Sequence, residues 1–249
     1  MIQKIKVGAV NYLNTKPLIY GFEQGMMKDE IDLIYDHPAN IAAGLLNKQI
    51  DIGLVPVAVI PALQKSFILS DYCIGCTGEV YSVSLFSDVP LAQVNTVLLD
   101  YQSKTSVALL KILLASHWQI SPVLINARAG YEKKISGTTA GLIIGDRAIS
   151  QHGLSKYSYD LGTAWYEMTG LPFVFAAWIS TKEMDEKFKM DFNNANKFGL
   201  EHLPAVIKNI PNKSVDLETY FTKNISYGFD SLKELGLQLF LKYISNAGV

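Results

Sequence analysis

The first 64 residues alternate between two hydrophobic periods, and that alternation restricts the fold more than any other feature of the chain. Apolar runs near residues 5–10, 31–35 and 50–55 are strand-like, while the stretches near 16–25, 38–47 and 57–64 carry the spacing of helices. A βαβαβ start predicts an α/β fold with a mostly parallel sheet and helices on both faces. The first strand-to-helix turn, Asn11-Tyr12-Leu13-Asn14-Thr15-Lys16-Pro17, is polar. Thr15 is expected to cap the helix and Pro17 to occupy its first turn, where no backbone donor is lost. The amides of Asn11 and Asn14 and the Thr15 hydroxyl then sit beside free N–H groups at a positive helix end, which suits a polar, anionic small molecule.

A second series follows a long, partly exposed strand expected over 78–87, where polar and apolar residues alternate. Thr96–Asp100 has the pattern of a strand, Ser103–His117 of a helix, 123–125 and 141–144 of strands, and Asp146–Ile149 of an opening helix or turn. Leu171–Ile179 is a long apolar strand; beyond it the chain is helical, with amphipathic patterns near 183–203, 214–222 and 229–245. No Pro/Gly/Ser-rich linker separates the two series. Joined by two long strands, they predict two lobes linked by a double crossover, residues 1–86 with 177–249 and residues 87–176. A ligand cleft would lie between the lobes. One continuous sheet is the alternative.

Composition narrows the partners. Of 249 residues, 49% are hydrophobic and 18% charged, which supports a well-buried core, and the formal net charge is −1. There is no run of five or more like charges, so neither nucleic acid nor an anionic membrane surface is an expected partner. No apolar stretch reaches the roughly 18–20 residues of a membrane helix. Met1–Lys6 lead directly toward a strand rather than a secretion segment, so a cytoplasmic location is expected if this is the natural start. The two cysteines, Cys73 and Cys76, are spaced C-x-x-C on a strand-like run rather than at a helix start. Packing is their favoured role, redox chemistry or metal binding the alternative.

Ser103, Thr105 and Ser106 fall where a strand gives way to a helix, a nest suited to a carboxylate or phosphate. Ordinary capping by Ser103 would need only one of those hydroxyls. Ser82 and Ser84 share a face of the expected 78–87 strand; one of them could reach the cleft, or both could face solvent. In Gly145-Asp146-Arg147, Arg147 either grips a substrate carboxylate bidentately or pairs with Asp146. There is no G-x-S-x-G, Walker loop, G-x-G-x-x-G or H-E-x-x-H, and His37, His117, His152 and His202 are scattered as surface or helix-end residues are. An enzyme built from this chain is expected to work without metal, nucleotide cofactor or histidine base.

Six motifs in order resemble the chorismate dehydratases of the futalosine route to menaquinone. They are Asn11-Tyr12-Leu13-Asn14-Thr15 with Pro17; Asp51-Ile52-Gly53-Leu54-Val55-Pro56; Gly78-Glu79-Val80-Tyr81-Ser82-Val83; Asp100–Ser106; Ile144-Gly145-Asp146-Arg147-Ala148; and Asp160-Leu161-Gly162 with Trp165 and Thr169–Trp178. The likeness spans about residues 5–180. It implies a type II periplasmic-binding-protein-like fold and conversion of chorismate to 3-[(1-carboxyvinyl)oxy]benzoate with loss of water. The sister family, 1,4-dihydroxy-6-naphthoate synthase, shares that fold, and Asn11-Tyr12-Leu13-Asn14 favours the dehydratase.

Chorismate carries two carboxylates, so two anion sites are required, and the Asn14-Thr15 turn and the Ser103–Ser106 nest are the candidates. Donors fixed around the ring carboxylate would stabilise electron density arriving there, and positioning alone lowers a barrier by about 7 kcal/mol or more. No Asp, Glu or His in the motifs has an obvious base role. The substrate's enolpyruvyl carboxylate is therefore assigned proton removal, with Asn14 and Ser82 orienting the ring and the departing hydroxyl and Glu79 as the alternative base. The rival readings are a non-enzymatic small-carboxylate binding protein and a ligand-sensing regulator domain. The latter would normally carry an attached DNA-binding helix pair and basic patch, which this sequence lacks.

Overall fold

The alternating periods resolve into two sheets. In the computed structural model, which describes residues 4–211 and 215–247, β1 (Ile5–Ala9), α1 (Lys16–Glu23), β2 (Ile31–Tyr35), α2 (Pro38–Leu46) and β3 (Ile52–Pro56) form the expected βαβαβ unit, with β1 parallel to both β2 and β3. The expected helix near 57–64 is a 3-10 stretch, Val57–Ala62, because Pro61 lies inside it. The chain continues through β4 (Phe67–Cys76), β5 (Val83–Ser87), β6 (Thr96–Leu99), α3 (Lys104–Ser116), β7 (Val123–Asn126), β8 (Thr139–Ile144), α4 (Gly145–Gln151), β9 (Tyr157–Asp160), α5 (Leu161–Thr169) and β10 (Phe173–Ser180). It ends with α6 (Glu186–Glu201), α7 (Leu203–Lys208), α8 (Leu217–Thr219), a π-helical turn Tyr220–Asn224, β11 (Ser226–Gly228) and α9 (Ser231–Ala247).

Among the described residues, six strands form one sheet in the order β11-β4-β10-β3-β1-β2, and five form another in the order β7-β6-β8-β5-β9. Both sheets are mixed rather than mostly parallel. The strands that enter after the chain has crossed between lobes arrive from the opposite direction: β10 is antiparallel to β3 and β4, and β5 to β8 and β9. The crossings also fall earlier than expected. All of β5 lies in the second sheet and all of β10 in the first, so the chain passes over at residues 77–82 and returns between β9 and β10, not at 86/87 and 176/177.

The strand expected over 78–87 is thus a turn followed by β5, which pairs with β8 and β9 and whose five residues are buried where α4 and α5 pack against it. β9, α5 and β11 have no counterpart among the expected elements, and β11 interrupts the C-terminal helices. The helix expected near 214–222 begins at Leu217; residue 214 lies outside the described residues, as do Met1-Ile2-Gln3.

Two close approaches aim helix ends at the space between the sheets. Helix α1 crosses α6 at Gly21 and Gly199, where a Cβ would strike the carbonyls of Ala195 and Pro17 respectively. Ile41 of α2 rests on the register pair Gly8–Gly53 of β1 and β3, 2.8 Å and 3.0 Å from where their Cβ atoms would be. Behind α1, Phe22, Trp178 and Phe192 pack edge-on or tilted with centroids 4.9–6.2 Å apart, and the Trp178 indole donates to Asn196 Oδ1 at 2.8 Å. Full burial of such side chains stabilises by roughly 1.5–3 kcal/mol each. Phe188 and Phe192 are core residues, and Phe198 is half-buried, stacked on Tyr20 and His202.

Candidate functional site: a cleft between the sheets

The carboxyl ends of β1, β3 and β8 face one cleft, open on one side. The first lobe contributes Val10, Tyr12, Asn14, Thr15, Pro38, Leu54 and Pro56, with Ile74, Phe175 and Ala176. The second contributes Val83, Gln102, Ser103, Ser106, Ile144 and Gly145, and the crossing segment supplies Val80 and Ser82. Most of this wall is apolar; the hydroxyls and amides come from three strand-to-helix turns and the crossing.

In the first turn, Tyr12 is extended and starts a 3-10 turn, Leu13–Thr15, that runs into α1. Thr15 is consequently already helical and makes no cap bond, contrary to expectation; its hydroxyl lies 3.4 Å from Asn14 Oδ1. Pro17 does occupy the first turn of α1. In the second turn, Ser103 is a true cap of α3: its Oγ accepts from Ser106 N at 3.1 Å and lies 2.9 Å from Ser106 Oγ. Both of these hydroxyls line the cleft. The third turn, at the start of α4, turns on Gly145, whose φ of +62° only glycine adopts without strain and whose N–H donates to Ser82 O at 2.7 Å.

Five expected site residues lie elsewhere. Thr105 points toward the 3-10 stretch and accepts from Ala58 N at 3.1 Å. Ser84 is buried on β5, its Oγ without a hydrogen-bond partner, because α4 and α5 pack against that strand. Asn11 and Asp146 line a neighbouring surface depression with Lys16 and Tyr20. Asp146 accepts from Leu13 N at 3.3 Å; burial raises its pKa, opposed by that N–H and by Lys16. Arg147 pairs neither with Asp146 nor into the cleft. It bridges Asp100 (2.6 Å), Glu132 (2.7 Å) and Gln102 Oε1 (2.8 Å) and lies over the Tyr101 ring. Burial works against the guanidinium charge, but Glu132 and Asp100 outweigh it and hold Arg147 protonated.

Glu79, the alternative base, is exposed and bonds Asn224 Nδ2 at 3.0 Å rather than lining the cleft. None of the four histidines lines it either; His152 stacks on Tyr81 at 4.0 Å and bonds its carbonyl oxygen. Cys73 and Cys76 are buried on β4. Among the described residues, no group of three or more His, Cys, Asp and Glu is arranged to hold a metal ion.

Four polar groups of the site were not singled out from sequence. Gln102 and Tyr12 line the cleft and touch each other, Tyr12 Oη to Gln102 Oε1 at 3.3 Å. Behind the wall, the fully buried Tyr220 hydroxyl donates to Ser82 Oγ at 2.9 Å, and the Tyr227 hydroxyl to Asn14 O at 3.0 Å. Both tyrosines sit more than 130 residues from their partners, so no local spacing points to them.

A family model described as menaquinone biosynthesis matches residues 5–246. The chain belongs to that family. A Thermus thermophilus protein named chorismate dehydratase is 31% identical over an alignment of 195 residues that covers 71% of this chain and 70% of that one. Among solved structures, a protein of Archaeoglobus fulgidus superposes with a TM-score of 0.74 at 15% identity, covering 98% of both chains. The periplasmic aliphatic sulphonate binding protein SsuA of Escherichia coli superposes at 0.65 with 13% identity, covering 100% of this chain and 94% of that one. At such identities the likeness is one of fold, and this member of the menaquinone family has the periplasmic-binding-protein fold. No helix among its described residues is long and apolar enough to cross a membrane.

Proposed function

We propose that the protein is a chorismate dehydratase, a carbon–oxygen lyase that converts chorismate to 3-[(1-carboxyvinyl)oxy]benzoate and water. The observation that carries this reading is that the Asn14-Thr15 turn and the Ser103–Ser106 nest, on different lobes, line one cleft together with Ser82. A doubly negative substrate thus meets a helix N-terminus from each lobe. Family membership and the Thermus relative named for this activity support it.

In this reaction the C–H bond at the ether-bearing ring carbon breaks, and its electron pair becomes the third ring double bond. The neighbouring C–O bond breaks, and the departing hydroxide takes up a proton to leave as water. No Asp, Glu or His side chain among the described residues lines the cleft, so the substrate's own enolpyruvyl carboxylate receives the ring proton. Asn14 and Ser82 orient the ring and the leaving hydroxyl. The apolar wall of Val10, Leu54, Ile74, Val83, Ile144 and Phe175 keeps bulk water away and strengthens each hydrogen bond within.

Incubating the purified protein with chorismate and following the aromatic product tests the proposal. Stoichiometric release of 3-[(1-carboxyvinyl)oxy]benzoate is expected; binding of chorismate with no conversion would overturn it in favour of a carboxylate-binding protein.

A further inference from the structure

We infer that Tyr220 is a positioning residue for the elimination, its buried hydroxyl donating to Ser82 Oγ so that the Ser82 O–H turns into the cleft. This rests on the dehydratase reading and deepens it. Tyr220 opens the π-helical turn Tyr220–Asn224, has no exposure to solvent and does not line the cleft. Its hydroxyl passes through the wall to Ser82 at 2.9 Å. A phenylalanine would fill the same packing volume without the need to satisfy a buried hydroxyl.

The direction of the bond matters. The Tyr220 hydroxyl is the donor of that bond, and burial holds the phenol well above its ordinary range, so it keeps its proton. Ser82 Oγ therefore accepts, and its own proton is left with two choices. One is Val80 O at 3.5 Å, too long for a strong bond; the other is the cleft. The Ser82 backbone is held as well, its N–H on Val80 O and its carbonyl on Gly145 N, each at 2.7 Å. The neighbouring Tyr227 hydroxyl fixes Asn14 through its carbonyl at 3.0 Å. The C-terminal segment thus orients both residues assigned to the leaving hydroxyl and the ring. Tyr220 itself gains and loses no proton.

The test is Tyr220→Phe in the full chain, alone and combined with Ser82→Ala, assayed with chorismate. Alone it should lower kcat about ten-fold or more and leave KM within about two-fold. In the Ser82→Ala background it should change kcat less than about two-fold, because the group it orients is gone. Equal losses in both backgrounds, or a loss confined to thermal stability, would mark a structural residue and overturn the inference. If Tyr220→Phe does not fold, 3-fluorotyrosine at position 220 keeps the packing and alters the donor strength. Its effect on kcat should vanish with Ser82→Ala, and persistence there overturns the inference. Turnover by the wild type with kcat unaffected at position 220 sinks this inference alone; no aromatic product from the wild type sinks the dehydratase reading and this one with it.

Discussion

The Tyr12 hydroxyl donates to Gln102 Oε1 at 3.3 Å, a hydrogen bond that joins the two lobes across the cleft. Two more bonds between lobes accompany it, Leu13 N to Asp146 Oδ1 at 3.3 Å and Ala58 N to Thr105 Oγ1 at 3.1 Å. Gln102 is not free to swing. Its N–H donates to Asp100 Oδ1 at 2.7 Å, and its Oε1 also accepts from Arg147 Nη2 at 2.8 Å. These polar contacts hold the two lobes together in this structure, and parting the lobes would hand them to water.

Removing the Tyr12 hydroxyl should loosen closure without touching the reacting atoms. Tyr12→Phe is expected to raise KM about 5-fold, the equivalent of one hydrogen bond, and to change kcat less. Asp146→Ala should behave similarly, because it removes the acceptor of Leu13 N. Steady-state kinetics with chorismate decide, and an unchanged KM in both variants would show that these bonds do not hold the cleft shut.

Asn14→Ala and Ser82→Ala should affect the reaction more than binding. On the dehydratase reading each removes a donor that orients the ring or the leaving hydroxyl, so kcat is expected to fall about 100-fold. Chorismate affinity, measured by calorimetry on these slow variants, should stay within a few-fold. Wild-type rates in both would refute their assignment.

Gly145 offers a test of backbone strain. Its φ is +62°, and a Cβ there would meet nothing within 4 Å, so Gly145→Ala adds strain but no clash. A left-handed non-glycine residue costs roughly 1–2 kcal/mol, which in a chain of this size lowers Tm by about 3–6 °C. Calorimetric melting measures it directly.

The βαβαβ start, the two-lobe plan and the cleft were legible because they rest on local periods and on turns whose polar tips are contiguous in sequence. Asn14, Thr15, Ser103 and Ser106 were found that way. What escaped depended on distant pairing. Ser84 looked like a cleft or solvent residue because its alternation is visible, whereas the burial imposed by α4 and α5 packing on β5 is not. Arg147 sits beside Asp146 in sequence, but its partners Asp100 and Glu132 come from other elements. Tyr220 looked like part of an amphipathic helix, and nothing nearby signals a hydroxyl aimed at a residue in the other half of the chain.

Arg147 should prove a structural residue. The Asp100 carboxylate is fully buried, and Arg147→Leu would strand it, costing about 3 kcal/mol or more. Arg147→Lys should rescue little of this, since one ammonium cannot span Asp100, Glu132 and Gln102 as the guanidinium fork does. Urea unfolding measures the loss. A lysine variant of wild-type stability but weakened chorismate affinity would instead return Arg147 to a substrate-binding role.

Cys73 and Cys76 should be inert despite their C-x-x-C spacing. Burial pushes the Cys73 thiol up to about 12 and Cys76 well above its ordinary value, with Lys233 only partly offsetting this, so neither holds a thiolate near neutral pH. Along β4 three residues span about 10 Å and side chains alternate faces, so the two sulfurs point apart and are beyond disulfide reach. An aromatic thiol reagent at pH 8 should therefore label neither cysteine in the native protein. Both should react at once in denaturant, and mild oxidation should leave chorismate turnover unchanged. Rapid labelling under native conditions would mean that β4, a strand hydrogen-bonded to both β10 and β11, opens far more readily than its burial allows.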